Sequence, residues 1–337
     1  MAFKDITGNN RVKSILSKAL ARERLPNSLL FIGPDGVGKN ETALVVARAL
    51  NCLNKKEDAC EICSACTSIN EDVEKGSFPD VIKLGPKNDV LTIDQMRFLK
   101  NTCYLKPMVG KKRVFIVNEA EKMTEKAANS LLKILEEPPL FSHIILISNN
   151  PFLLLPTIKS RCQILNFSPV SREDIEIYLT ERGYKPEKAR ILSLMAGGNL
   201  KMAMEMEWDE VKEIKARAWE LYMSLFYKEN AASTLKEYHV LQKLQAAEDL
   251  KRILGIMLSF CRDIILIKQK GDIHLLLNPD FLSEMKKTAD KLSLQRFLEC
   301  LKEINRTLYM MNKKVNLNLN LNAAYLHLSN LFLCELK

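Results

Sequence analysis

The chain has 337 residues, 47% of them apolar, with 50 Lys+Arg against 41 Asp+Glu for a net charge of +9. That length suits two or three domains with sizeable cores. Its apolar runs, such as Ile144 to Ile147 and Leu153 to Leu155, are far too short to span a bilayer, and Met1-Ala2-Phe3-Lys4-Asp5 opens without an apolar leader, so the expectation is a cytoplasmic protein with no membrane partner. The positive charges are scattered, which admits a polyanionic partner without establishing one.

Val12, Ile15, Leu16, Ala19 and Leu20 recur at helical spacing across Asn10 to Arg24. Ser28-Leu29-Leu30-Phe31-Ile32 reads as a short buried strand, and Glu41 to Leu50 as a helix. Between them, Gly33-Pro34-Asp35-Gly36-Val37-Gly38-Lys39-Asn40 follows the phosphate-binding frame G-x-x-x-x-G-K-[ST]. In that frame glycine backbone N–H groups cradle phosphates and the Lys reaches the outer ones. The last position departs, because Asn40 stands where a Ser or Thr hydroxyl holds Mg²⁺. An amide oxygen is a poorer ligand in a tight octahedral site. A loop of this kind can still hold a nucleotide, ATP or ADP, but it is expected to hydrolyse one badly.

Nine cysteines divide into a cluster and a remainder. Cys52, Cys60, Cys63 and Cys66 run as C-x7-C-x2-C-x2-C, while Cys103, Cys162, Cys261, Cys300 and Cys334 are isolated. In a reducing compartment clustered thiols more often hold metal than form disulfides. Four thiolates suit a closed tetrahedral Zn²⁺ site, and an iron–sulfur cluster is the alternative. Nothing else in the sequence suggests electron transfer, so a structural zinc stapling an insertion over about residues 50–68 is the expectation.

Asp80 to Leu84 reads as a second strand, and Thr92 as the N-cap of a helix ending near Tyr104. Val114 to Val117 is a third strand, closed by Asn118-Glu119, where an acid usually serves the metal and the following Glu orients water. Asn118 is neutral, a second departure on a metal-handling position. Thr124 caps a helix that stops at Pro138-Pro139; His143 to Ile147 and Gln163 to Phe167 give two more strands. Strands alternating with helices predict a parallel sheet with helices on both faces. Beyond Pro169 come three helices, beginning at Ser171, Glu187 and Leu200. Leucine-rich helical segments follow around 210–227, 230–270, 278–288 and 293–311, then an extended link at 315–321 and a last helix from about Asn322.

The run Ala127-Ala128-Asn129-Ser130-Leu131-Leu132-Lys133-Ile134-Leu135-Glu136-Glu137-Pro138-Pro139 and the segment Leu155-Pro156-Thr157-Ile158-Lys159-Ser160-Arg161-Cys162-Gln163 resemble the clamp-loader branch of the AAA+ family in bacterial DNA polymerase III. Ile93-Asp94-Gln95-Met96-Arg97 and the cysteine spacing match as well. The resemblance implies that Arg161 is an arginine finger reaching into a neighbouring subunit's ATP site. It puts Asn149, with Asn150 as the alternative match, where a γ-phosphate is sensed. Lys201 falls where active members carry a second sensing Arg, and Lys lacks its bidentate fork.

The degenerate nucleotide site would then be Gly33, Gly36, Gly38, Lys39, Asn40, Asn118, Glu119, Asn149 and Lys201. The implied fold is an α/β P-loop AAA+ core with a zinc-module insertion over 1–167, a three-helix lid over 168–207 and an all-α collar over 208–337. The implied function is that of a stator, an accessory subunit of a DNA-directed DNA polymerase holoenzyme without intrinsic ATPase. Its implied partners are gamma/tau-type motor and delta-type subunits, the sliding clamp, and primer–template DNA through the assembled complex. An active gamma/tau-like ATPase is the alternative, and a nucleotide-gated binding module outside replication a weaker third.

Overall fold

Every apolar run expected as a strand pairs with a neighbour, and every pairing is parallel. In space the order is β2 (Val81–Leu84), β3 (Arg113–Val117), β4 (Ser142–Ser148), β1 (Ser28–Ile32) and β5 (Gln163–Asn166). β3 and β4 are buried at every residue, the mark of a parallel sheet covered by helices. The computed structural model describes residues 1–54, 57–69, 78–226, 247–291 and 293–312. The expected link at 315–321, the helix from Asn322 and part of the 230–270 segment lie outside these residues.

Flanking helices α1 (Asn10–Ala21), α2 (Lys39–Asn51), α4 (Ile93–Cys103) and α5 (Glu125–Glu136) connect the strands, with the short α3 (Ser64–Ser68) inside the cysteine insertion. Their starts are set by local chemistry. Thr92 and Gln95 form a reciprocal capping box, Thr124 accepts the N–H of Ala127 at 3.2 Å, and Ser171 accepts that of Asp174 at 3.0 Å. Such caps contribute about 1 kcal/mol each. Against one sheet face, Leu30, Phe115, Val117, Ile144 and Leu146 pack with Met96 and Leu99 of α4 and Leu131, Ile134 and Leu135 of α5. The short α6 (Pro156–Lys159) leads into β5, and α7 (Arg172–Glu181) follows.

The far end of β3 is pinned by a buried charge. Asp80 is fully buried and accepts the N–H groups of Met108, Val109 and Gly110 at 2.7–3.0 Å, and the Arg113 guanidinium at 3.0 Å. Burial by itself pushes the Asp80 carboxyl up; the three N–H groups and Arg113 outweigh it and hold it below the ordinary range. Its contribution to stability is therefore complete at neutral pH and is lost as pH falls through that lowered value. Asp80→Ala leaves the buried Arg113 charge with Thr102 O but no carboxylate, and should cost about 3–5 kcal/mol in urea unfolding. A cost below 1 kcal/mol would contradict the pin.

The chain divides into two compact units, Met1–Arg182 with Ala196–Met204, and Gly183–Met195 with Glu205–Lys337. The first holds the sheet, α7 and α9 (Leu200–Glu205). The second holds α8 (Pro186–Met195) and, among its described residues, α10 (Trp208–Phe226), α11 (Ala247–Lys268), α12 (Leu282–Lys291) and α13 (Leu294–Asn312). The core of the second unit gathers Trp219, Tyr222, Phe260 and Phe297, with the Trp219 and Phe260 rings edge-on at 4.9 Å. No helix among the described residues is long and apolar enough to cross a membrane.

Candidate functional site

β1 delivers the chain into the phosphate loop, whose Gly33 N–H donates to Ser148 O at 3.3 Å. Gly36 and Gly38 take left-handed φ values of 68° and 90°, where a side chain is strained. A Cβ on Gly36 would stand 1.6 Å from Asn199 Oδ1, and one on Gly33 2.3 Å from Phe167 O. The loop thus requires glycine at both positions. Lys39 opens α2 and is buried; its Nζ donates to Gly33 O at 2.8 Å and to Pro34 O. Burial lowers the Lys39 pKa, opposed by the nearby carboxylates of Asp35, Glu121 and Glu41.

At the ends of the strands, Asn118 N donates to Leu84 O at 2.8 Å, while Asn118 Oδ1 is buried without a partner among the described residues. Glu119 turns the chain with a φ of 50°, and its Oε2 pairs with Lys122 at 2.5 Å. Asn149 leaves β4 with its N–H given to Glu121 Oε1 at 3.0 Å. Leu200 and Lys201 at the start of α9 both donate backbone N–H groups to Gly36 O, at 2.9 and 3.4 Å.

One cavity of about 380 Å³ takes Gly36, Gly38, Lys39, Asn40, Asn118, Glu119, Asn149 and Lys201 into its wall. Gly33 lies just outside the wall, tied to it through Lys39. Residues spread from 33 to 201 in sequence therefore meet at one place. Asp35 and Glu41 also line it, and Glu121 and Asn199 brace it. None of these four was singled out from the sequence. The available signal for Glu121 was an acid three residues after Asn118; Asn199 carried none, since its contact with Gly36 spans most of the unit. The glycine cradle and Lys39 fit a nucleotide's phosphates. The hydroxyl and the strand-end Asp that would manage a metal are absent.

Arg161 stands apart from that cavity. It follows α6, and its guanidinium bonds Glu136 Oε1 at 2.6 Å and Thr157 O at 3.0 Å. Its Nε is buried and unpartnered among the described residues. Glu136 is half exposed, so this ion pair is worth about 1 kcal/mol or less.

The Sγ atoms of Cys52, Cys60, Cys63 and Cys66 all lie within 4.8 Å of one another, with Cys60 and Cys66 at 3.9 Å. Sulfurs about 2.3 Å from a shared metal in tetrahedral array would stand about 3.8 Å apart, so the donor set fits one ion. Burial pushes the Cys66 thiol up to about 12. The Cys60 thiol, raised by burial but lowered more by the N–H groups of Ile62 and Cys63, sits at about 6. The module is moored to the rest of its unit by Arg48, which donates to Ile69 O and to Met1 O, and by Phe3 N to Asp58 at 3.1 Å. Cys103, Cys162, Cys261 and Cys300 stand outside the cluster.

The family described as "DNA polymerase III, delta subunit" matches residues 8–171. DNA polymerase III subunit delta' of Bacillus subtilis is 31% identical over 314 residues, covering 93% of this chain and 92% of that protein. The chain belongs to the AAA+ clamp-loader family of DNA polymerase III. Another relative, B. subtilis subunit tau, is 25% identical over 90% of this chain, which spans 57% of tau. The solved gamma subunit-related protein of Thermotoga maritima aligns with a TM-score of 0.40 at 18% identity, covering 94% of this chain and 98% of that one. This clamp-loader chain keeps the phosphate loop and its Lys39, and carries amides at positions 40 and 118.

Proposed function

We propose that this chain is a delta'-type stator of the clamp loader. The observation that carries the reading is a pairing of deficit and surplus. Asn40 and Asn118 face the chain's own cavity, where a hydroxyl and a carboxylate would handle Mg²⁺, while Arg161 lies outside that cavity on a weak ion pair. In this reading Arg161 braces the γ-phosphate bound by an adjacent gamma/tau-type motor subunit, since a guanidinium stays charged and presents a planar fork. Residues 1–167 act as the AAA+ core, 168–207 as the helical lid and 208–337 as the collar. Cys52, Cys60, Cys63 and Cys66 hold a structural zinc, and Asn149 and Lys201 are relics of phosphate sensing. The chain works in the cytoplasm with gamma/tau-type and delta-type subunits to load the sliding clamp on primer–template DNA.

The isolated chain should show negligible ATP hydrolysis, no higher than its Lys39→Ala variant in the same preparation. Turnover at a rate ordinary for AAA+ enzymes, abolished by Lys39→Ala, would make it a gamma/tau-like motor instead. Co-purification with gamma/tau- and delta-type subunits is expected; its absence would favour a binding module outside replication.

A further inference from the structure

The second unit carries a cavity of its own, of about 700 Å³, larger than the nucleotide cavity of the first. Helical spacing assembles its wall. Glu187, Arg190 and Ile191 share one face of α8, and Trp208, Val211, Lys212 and Lys215 share one face of α10. The turn at 273–280 closes a third side with Leu276, Leu277 and Asp280. A buried acid holds that turn in place. Asp263 of α11 accepts the backbone N–H groups of Leu277 and Asn278 at 2.9 and 2.8 Å, and the Asn278 side-chain amide at 3.0 Å. A wall made of two helices and a pinned turn is formed before any ligand arrives, as small-molecule sites usually are.

This wall joins apolar surface to a buried charge. Val211, Leu276 and Leu277 are buried, and Trp208 lends an indole ring, with Lys188 and Lys212 Nζ at 5.4 and 5.7 Å from its centroid. Lys215 is almost wholly buried, which Lys rarely is without a partner, and its Nζ donates to both oxygens of the half-exposed Asp280 at 2.8 Å. An ammonium has three N–H donors, so one remains after Asp280 takes two. Arg190, Lys212 and Lys215, set against Glu187 and Asp280, leave the wall one positive charge in excess. A polyphosphate would press several charges onto largely apolar surface, and a neutral apolar molecule would leave the remaining Lys215 N–H unmet. An apolar body with a single negative charge answers both.

We propose that this cavity binds a small apolar monocarboxylate, its carboxylate on the remaining N–H of Lys215 and its apolar body against Trp208, Val211 and Leu276. The site belongs to the second unit and involves neither the phosphate loop nor Arg161, so it does not depend on the stator reading.

Titration calorimetry of the full chain with decanoate and, separately, with 2-naphthoate tests it, the two distinguishing an aliphatic from an aromatic acid. At least one of them should bind saturably at one per chain. Decanol and acetate, each lacking half of the chemistry, should bind at least about tenfold more weakly. Lys215→Met keeps an apolar stem in the buried position and should weaken the acid about tenfold, the scale of a lost hydrogen bond to a charged group. Asp280→Asn removes the competing carboxylate and should tighten the acid severalfold, an opposite shift that a damaged fold would not give. The proposal is overturned if neither acid binds saturably at one per chain, if decanol binds as well as decanoate, or if Asp280→Asn weakens binding as Lys215→Met does.

Discussion

Cys60→Ser is expected to lose the metal and unravel the module over residues 57–69, while leaving the parallel sheet folded. The zinc-bound chain should contain about one Zn²⁺, and chelation should reproduce the mutant. Structural zinc contributes about 10–16 kcal/mol in small zinc-finger peptides that have no other core. Here the loss should be smaller, because Arg48, Met1, Phe3 and Asp58 tie the module to a sheet with its own buried core. The signature is local: hydrogen exchange rising in the module and α2's last turn, with β3 and β4 still protected. Elemental analysis of freshly purified reduced protein is the direct check. Iron in place of zinc, or no metal with a fully protected module, would refute the assignment.

Arg161→Ala should leave folding, zinc content and complex assembly nearly intact, and cut ATP hydrolysis at one site of the assembled loader. Within its own domain the side chain makes one bond to Thr157 O and a half-exposed pair with Glu136 worth about 1 kcal/mol or less. Arginine fingers contribute about 10³ to 10⁵ in rate, so the affected site should fall effectively silent. Steady-state turnover of the whole complex would drop only in part, since other subunits keep their own fingers. Arg161→Lys should rescue poorly, because an ammonium keeps the charge and lacks the planar fork. Glu136→Gln removes the cis partner without touching the finger; its expected effect on turnover is small and in the upward direction.

The sheet and its helix starts were legible because their signals are local. Thr92, Thr124 and Ser171 each announce a helix within four residues, and the apolar runs at 28–32, 114–117 and 143–147 can hardly be anything but buried strands. That Asn40 and Asn118 belong beside the phosphate loop was legible for the same reason, each standing at a fixed offset in a short frame. What escaped depends on long-range pairing. Asp80 recruits three N–H groups about thirty residues away, Asn199 presses on Gly36, and Glu136 meets Arg161 across a strand and a helix. The short α3 and α6 are too brief to show a helical period. Glu121 looked like an ordinary acid in a turn until its oxygen proved buried and unmet.

Single-turnover hydrolysis of radiolabelled ATP pre-bound to the loader tests the central claim most directly. The loader is assembled with wild-type or Arg161→Ala chain, triggered with clamp and primed DNA, and the ATP left uncleaved per complex is counted. If this chain acts in trans, the mutant complex should retain one ATP more than the wild-type complex, on the neighbouring motor subunit, and should load clamp poorly. Equal cleavage in the two complexes, with normal clamp loading, would contradict it and leave this chain a scaffold.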